Sequence, residues 1–220
     1  MDSGELDTAH QDQLVSWCTH FDEKYGYLGV ERLASRYRDG QHCRCVSKAC
    51  GSFNLCIKVV FDDDTAWAVR FPLPGQVMQP KEKLRREAAV LKFIEYNTRI
   101  PIPTLVAFGS ATENEDPEVG PYIITTWVEG VSLESLLEEL PRPGWSPVLR
   151  DDIDDEIFCK IYSQMADILL ELASKDFERI GSLTMSEENN QPSWSIVTRP
   201  LTQKMNDIES NDYVVVDGKA

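Results

Sequence analysis

From Leu55 to Phe71 large apolar side chains recur with a period of two, interrupted by a run of three aspartates. Leu55, Ile57, Val59 and Phe61 fall on one face of a first strand. After Asp62, Asp63 and Asp64, residues Trp67, Val69 and Phe71 fall on one face of a second. A strand whose side chains alternate in this way buries one face only, so the segment predicts an antiparallel hairpin closed by a three-residue acidic turn. The same period places Ala66, Ala68 and Arg70 together on the opposite face. Pro72 and Pro74 end the second strand, because proline cannot donate to a ladder.

A helix is predicted to follow. Pro80 suits a first helical turn, and Leu84, Ala88, Leu91 and Ile94 recur at three- and four-residue steps through Lys81 to Tyr96. Glu87 lies inside that apolar stripe. A carboxylate left unpaired in such a place costs about 3–5 kcal/mol, so it calls for a cation, and Arg70 at the end of the preceding strand is the natural one. The alternative is an edge position and a pair with Lys83 one turn back, worth only about 0.2–0.5 kcal/mol. The position of Glu87 on the helical wheel favours Arg70.

Beyond this helix, Ile100-Pro101-Ile102-Pro103 predicts an extended connector, since proline disfavours helix at the residue before it. Thr104 to Phe108 predicts a strand ending at Gly109. An acidic loop, Glu113 to Glu118, separates it from a further strand at Tyr122 to Thr126, again as a hairpin. Ser132 is placed to cap a short helix from Leu133 to Leu140. Residues 141–150 form a proline-rich boundary, and Ile153, Ile157, Ile161, Met165, Ile168, Leu169 and Leu172 then trace a long amphipathic helix reaching Ser174.

The run from Val46 to Leu137 resembles the amino-terminal lobe of the kinase-like phosphotransferases, most closely the aminoglycoside phosphotransferase family in its fungal form. Cys50-Gly51-Ser52-Phe53-Asn54 stands where that family has the loop covering the nucleotide phosphates. Ala68-Val69-Arg70 matches its Ala-x-Lys or Ala-x-Arg strand, and Glu87 matches the helix glutamate that holds the cation. Trp127-Val128-Glu129-Gly130 resembles the hinge that bonds the adenine edge. Ile180 to Met185 and Trp194 to Leu201 resemble segments that follow in the fungal proteins.

The resemblance implies an α+β fold, with an antiparallel sheet and helix forming a protein-kinase-like amino-terminal lobe, followed by the start of a mostly helical second lobe. It implies three parts: a helical extension over 1–45, a nucleotide-binding lobe over 46–140 and an incomplete helical lobe over 141–220. ATP is the implied cofactor. Gly51, Ser52 and Asn54 would lie at its phosphates, Ala68 over its adenine, and Arg70, held by Glu87, at the α and β phosphates. The carbonyl of Thr126 and the amide of Val128 would meet the adenine edge.

Phosphoryl transfer also needs an aspartate that orients the attacking hydroxyl, an asparagine five residues on, and a second aspartate holding magnesium. Two fragments imitate these signals out of context. His10-Gln11-Asp12 has Trp17 five residues after the aspartate and precedes the lobe, and Asp176-Phe177-Glu178 has no base loop before it. Asp217-Gly218 also lacks that loop. The sequence therefore reads as the ATP-binding half of a small-molecule phosphotransferase that does not catalyse as it stands, with Mg2+ bound only if the missing carboxylates are supplied. The other reading is a non-catalytic module binding a nucleotide or a protein.

Charge narrows the partners. Residues 1–110 hold 14 acidic and 14 basic side chains, whereas 111–220 hold 23 and 8. That acidic half disfavours nucleic acid and anionic membrane surfaces and would suit a cationic small-molecule acceptor. Asp151, Asp152, Asp154, Asp155 and Glu156 are as readily explained as residues favouring a helix start. Six cysteines show no disulfide spacing, and Cys43-x-Cys45 with Cys50 lacks paired zinc-ligand spacing. The start has no signal-peptide pattern, and no apolar run reaches the ~20 residues of a membrane span, so a cytoplasmic setting is expected.

Overall fold

The structure, a computed structural model, describes residues 3–77, 79–110, 116–138, 148–188 and 191–197. The described residues fall into two compact units. The first gathers those of 1–97, 101–127 and from 177 on, and the second those of 98–100 and 128–176.

The first unit is α+β, built on a five-stranded sheet in the order β1-β2-β3-β5-β4. Its strands are β1 (Cys43–Cys50), β2 (Asn54–Phe61), β3 (Ala66–Pro72), β4 (Leu105–Gly109) and β5 (Tyr122–Thr126). Every neighbouring pair is antiparallel. The predicted hairpin is β2–β3, with Val59 opposite Trp67 and Ile57 opposite Val69. Its alternating apolar residues are buried as the period requires, with Ile57, Val59, Val69 and Phe71 at 0% exposure.

Two helical layers cover the sheet. On one face lie α1 (Ser3–His20), a π-turn (Phe21–Tyr25) and α2 (Gly26–Arg36). Trp17, Phe21 and Tyr25 recur every four residues and so share one side of this helical run. They join Val30, Leu33, Ile57, Val69, Phe71 and Ile124 in one core. The Trp17 indole donates to the Val119 carbonyl at 3.1 Å, and His20 Nε2 lies 2.7 Å from Asp116 Oδ2, fixing this layer to the β4–β5 connection. On the other face lies α3 (Pro80–Asn97), whose Leu84 and Ala88 pack with Leu105 and Ile123. Successive residues Ile123 and Ile124 serve opposite cores, as period two demands.

The acidic turn has a defined role. Asp64 adopts a left-handed φ of 64°, and Arg38 grips Asp63 with two hydrogen bonds of 2.9 and 2.7 Å. The guanidinium also stacks 4.5 Å from the Phe61 ring centre, capping the hairpin end. The bonds from Arg38, and then the Thr65 amide, hold the Asp63 carboxyl down at about 2 from an ordinary 3.8. A depressed carboxylate contributes stability above its unfolded pKa and loses it as pH falls through the folded value. Asp63→Asn should therefore flatten the acid limb of the stability curve between about pH 4 and 2. An unchanged limb in acid titration followed by circular dichroism would refute that role.

Gly109 is required by a close approach. It pairs with Tyr122 across β4–β5, and a Cβ there would overlap the Tyr122 ring and hydroxyl. Tyr122 cannot step aside, being fully buried and bonded to the Tyr37 hydroxyl at 2.6 Å. Gly109→Ala is expected to destabilise by about 1–3 kcal/mol through overpacking, read as a lower denaturant midpoint at unchanged slope.

A second hairpin, β6 (Ser182–Glu188) with β7 (Gln191–Val197), belongs to this same unit and packs on α3. The Trp194 indole donates to the Ala89 carbonyl at 3.2 Å and meets Phe93 edge-on at 5.7 Å, while Phe177 stacks on Phe93 at 5.3 Å.

The second unit holds α4 (Leu133–Leu137) and α5 (Asp155–Ala173). Ser132 caps α4 by accepting from the Ser135 amide at 3.2 Å. The helix ends sooner than predicted, since Glu138 is already extended, bridging to Leu149, and the rest of the predicted span lies outside the described residues. Asp154 caps α5, accepting from the Glu156 amide at 2.9 Å, which accounts for one member of the acidic cluster there. The predicted stripe is present but uncovered: α5 has no buried residue, and Ile157, Met165 and Leu169 are 49%, 52% and 62% exposed. No helix among the described residues is long and apolar enough to cross a membrane.

Candidate functional site

The site lies on the α3 face of the sheet. β3 is the central strand, paired with β2 on one side and β5 on the other. Because Trp67, Val69 and Phe71 point into the core shared with the amino-terminal helices, Ala68 and Arg70 face the other way. Opposite them on β2 stand Lys58 and Cys56, and on β5 Thr125 and Ile123.

Arg70 meets Glu87 there. Its Nη2 donates to Glu87 Oε1 at 2.6 Å, and both side chains are about three-quarters buried, at 27% and 28% exposure. Of the two pairings left open by the sequence, the Arg70 one forms. α3 makes it possible by burying Leu84 and Ala88 against the sheet, which leaves Glu87, beside Leu84 on the same side of the wheel, within reach of β3.

The loop between β1 and β2 is short and held at both ends. The Gly51 amide donates to the Asn54 carbonyl and the Leu73 amide to the Phe53 carbonyl, each at 2.9 Å. Gly51 and Ser52 are exposed, and Asn54 opens β2. Phe53 reaches towards α3, with Lys83 Nζ 5.5 Å from its ring centre. Lys83 is half-buried, and burial pushes its pKa below 10.5, with nearby Glu87 opposing and Arg70 adding to the shift. Cys56, beside Arg70, is pushed up by burial, which Arg70 partly offsets.

At the end of β5, the Thr126 amide donates to the Thr104 carbonyl and the Trp127 amide to the Ala66 carbonyl, both at 2.9 Å. Lys58 Nζ stands 4.6 Å from the Trp127 ring centre. Ala68 is 8% exposed and belongs to neither apolar core. Val128 begins the second unit and is 65% exposed. Gly51, Ser52, Asn54, Ala68, Arg70, Glu87 and Thr126 thus all lie in the first unit.

The sequence marks neither Lys58 nor Lys83 as a site residue, and Phe53 only as a member of the loop Cys50–Asn54. Lys83 entered the sequence reading only as a rival partner for Glu87. Its spacing of four from Glu87 was the signal that the two share a helix face. A cavity of about 370 Å³ in the same unit, lined by Lys81, Leu84, Arg85, Phe108 and Met185 among others, touches none of the site residues expected from the sequence.

His10 to Asp12 lie within α1, and Asp176 follows α5, with Phe177 committed to the stacking on Phe93. Asp217-Gly218 lies outside the described residues. Cys43 and Cys45 are strand residues whose thiols burial raises to about 11 and about 12.

No family model matches the chain, and no solved structure matches it significantly. Among curated proteins the chain is similar to altered inheritance of mitochondria protein 9, mitochondrial, of the yeast Zygosaccharomyces rouxii, at 24% identity over 148 residues. The match covers 64% of this chain and 22% of that protein, so the chain spans about a fifth of its relative's length.

Proposed function

We propose that the first unit is the nucleotide-binding lobe of a kinase-like small-molecule phosphotransferase of the aminoglycoside phosphotransferase type, and that it binds ATP. The observation that carries this reading is the 2.6 Å pair between Arg70 and Glu87, beside the loop Gly51–Asn54. A cation anchored by one carboxylate keeps its remaining donors directed, which suits a polyphosphate, whose oxygens accept charge-assisted bonds. The order of elements supports it too: a β1–β2 loop, Arg70 on β3, Glu87 on α3, then paired strands leading to Thr126.

The local charge agrees. In a chain of net charge −15, this face of the sheet gathers Lys58, Arg70 and Lys83, with Glu87 as the carboxylate among them. Ala68 offers the small surface an adenine ring needs, and the Thr126 carbonyl is the proposed partner of its edge.

For the 220-residue chain the reading is binding without transfer, because the sequence fragments that imitate a catalytic or metal-binding aspartate lack the base loop and its following asparagine. Magnesium would need carboxylates beyond these site residues, and a cationic acceptor remains the substrate class that the acidic half of the chain suits. The test is an ATP-dependent thermal shift that Arg70→Ala and Glu87→Ala each remove.

A further inference from the structure

Lys83 stands at the edge of the Arg70–Glu87 site. It sits on α3 one turn before Glu87, half-buried, with its ammonium over the Phe53 ring at 5.5 Å. Among the described residues it has no salt-bridge partner: Glu87 is taken by Arg70 at 2.6 Å, and Glu82 by Arg86 at 3.2 Å. An ammonium partly withdrawn from water is unfavourable, and burial lowers its pKa, with Arg70 adding to the shift and Glu87, bonded to Arg70, only opposing it. The folded protein bears this penalty while Lys83 is charged and is relieved of it as pH rises from the folded pKa towards 10.5. Such a group is poised for an anion, and the neighbours that surround it define which anion. Phe53 belongs to the β1–β2 loop, and Arg70 and Glu87 form the anchored pair.

We propose that Lys83 is a second phosphate-binding cation of this site, meeting the polyphosphate chain beside Arg70 and fastening the Gly51–Phe53 loop to α3 through the Phe53 ring. The proposal rests on the nucleotide reading for its ligand, but it makes a narrower claim: the affinity is for the charged chain, and a helix residue supplies part of it. A conformational link follows, since an anion drawn to Lys83 also draws in the loop that its ammonium overlies.

The experiment compares the parent with Lys83→Met, Lys83→Arg and Arg70→Ala, titrating each with ATP, adenosine and inorganic tripolyphosphate by calorimetry and recording melting without ligand. Lys83→Met should weaken ATP and tripolyphosphate roughly tenfold, the loss of one charge-assisted contact. It should leave adenosine unchanged, and the ligand-free melting temperature should not fall, because the substitution removes a desolvated charge. Lys83→Arg should restore most of the ATP affinity. A purely structural lysine would give the opposite pattern: a lower melting temperature with ATP affinity intact, and that result overturns the proposal.

ATP binding lost in Arg70→Ala but kept in Lys83→Met overturns the role of Lys83 and leaves the nucleotide reading standing. Tripolyphosphate binding that depends on Lys83, without any adenosine contribution to ATP affinity, supports the role of Lys83 and overturns the nucleotide reading. A parent that binds none of the three ligands overturns both.

Discussion

Phe21→Ala is expected to destabilise the first unit by about 3–5 kcal/mol, the range for truncating a fully buried aromatic side chain. Phe21 is 1% exposed, lies at the π-turn after α1, and meets Trp17, Tyr25 and Phe71 at ring distances of 5.2, 5.6 and 5.5 Å. Phe71 is on β3, two residues from Val69 and next to Arg70, so the amino-terminal helices support the strand that carries the site. Against a typical total of about 5–15 kcal/mol, such a loss leaves a large unfolded fraction at physiological temperature. Tyr27→Ala, at a side chain 48% exposed on the same helical layer, should stay within about 0.5 kcal/mol. Equal denaturant midpoints for Phe21→Ala and the parent would show that the helices do not cover this sheet face.

Arg70→Ala and Glu87→Ala should each abolish the stabilisation of the chain by ATP. At a ligand concentration one hundred times its Kd, binding contributes about 2.7 kcal/mol, which for a unit of this size appears as roughly 5–10 °C in Tm. Removing Arg70 takes away the phosphate contact directly. Removing Glu87 frees the guanidinium from its 2.6 Å anchor, so the contact is lost through disorder of its geometry. Each substitution also leaves a three-quarters buried partner unpaired, costing about 1–3 kcal/mol before any ligand is added. The ligand-free Tm of both variants should therefore fall. Lys92→Ala provides the control, since it breaks the Lys92–Glu95 pair of 2.8 Å on the same helix and should keep the ATP shift. A parent with no ATP shift, or variants that retain one, would remove the basis of the nucleotide reading.

The sheet's central hairpin was legible because its information is local. The large apolar residues of Leu55–Phe61 and Trp67–Phe71 fall at every second position, and a slip of one residue would expose Ile57, Val59 and Val69 together, so only one register buries them. The Arg70–Glu87 contact was legible for a related reason: strand end, proline-rich turn and helix phase together restrict where Glu87 can face. The amino-terminal helices were less so. Trp17, Phe21 and Tyr25 carry a four-residue spacing, yet spacing alone does not say which surface three aromatics cover, and the partners Phe71 and Val119 lie far along the chain. The β6–β7 hairpin was marked as a strand and a short segment, but its seat on α3 depends on Trp194 meeting Ala89 and Phe93, more than one hundred residues earlier.

The long helix α5 shows the division most plainly. Its apolar stripe is written in the sequence, whereas the face of Met165 and Leu169 is left uncovered within the described residues, a property of what surrounds it. Lys83 makes the same point for the site. Sequence placed it one turn from Glu87 and offered it only as the alternative partner to Arg70, and the fold, in giving the carboxylate to Arg70, leaves the lysine over Phe53. The amino-acid order by itself determined the β2–β3 hairpin, the helix α3 and the apolar stripe of α5, because periodicity acts over a few residues. Which faces meet, and which charges are left without partners once they do, was decided by tertiary packing, since desolvation and ion pairing depend on neighbours that the chain brings from far away.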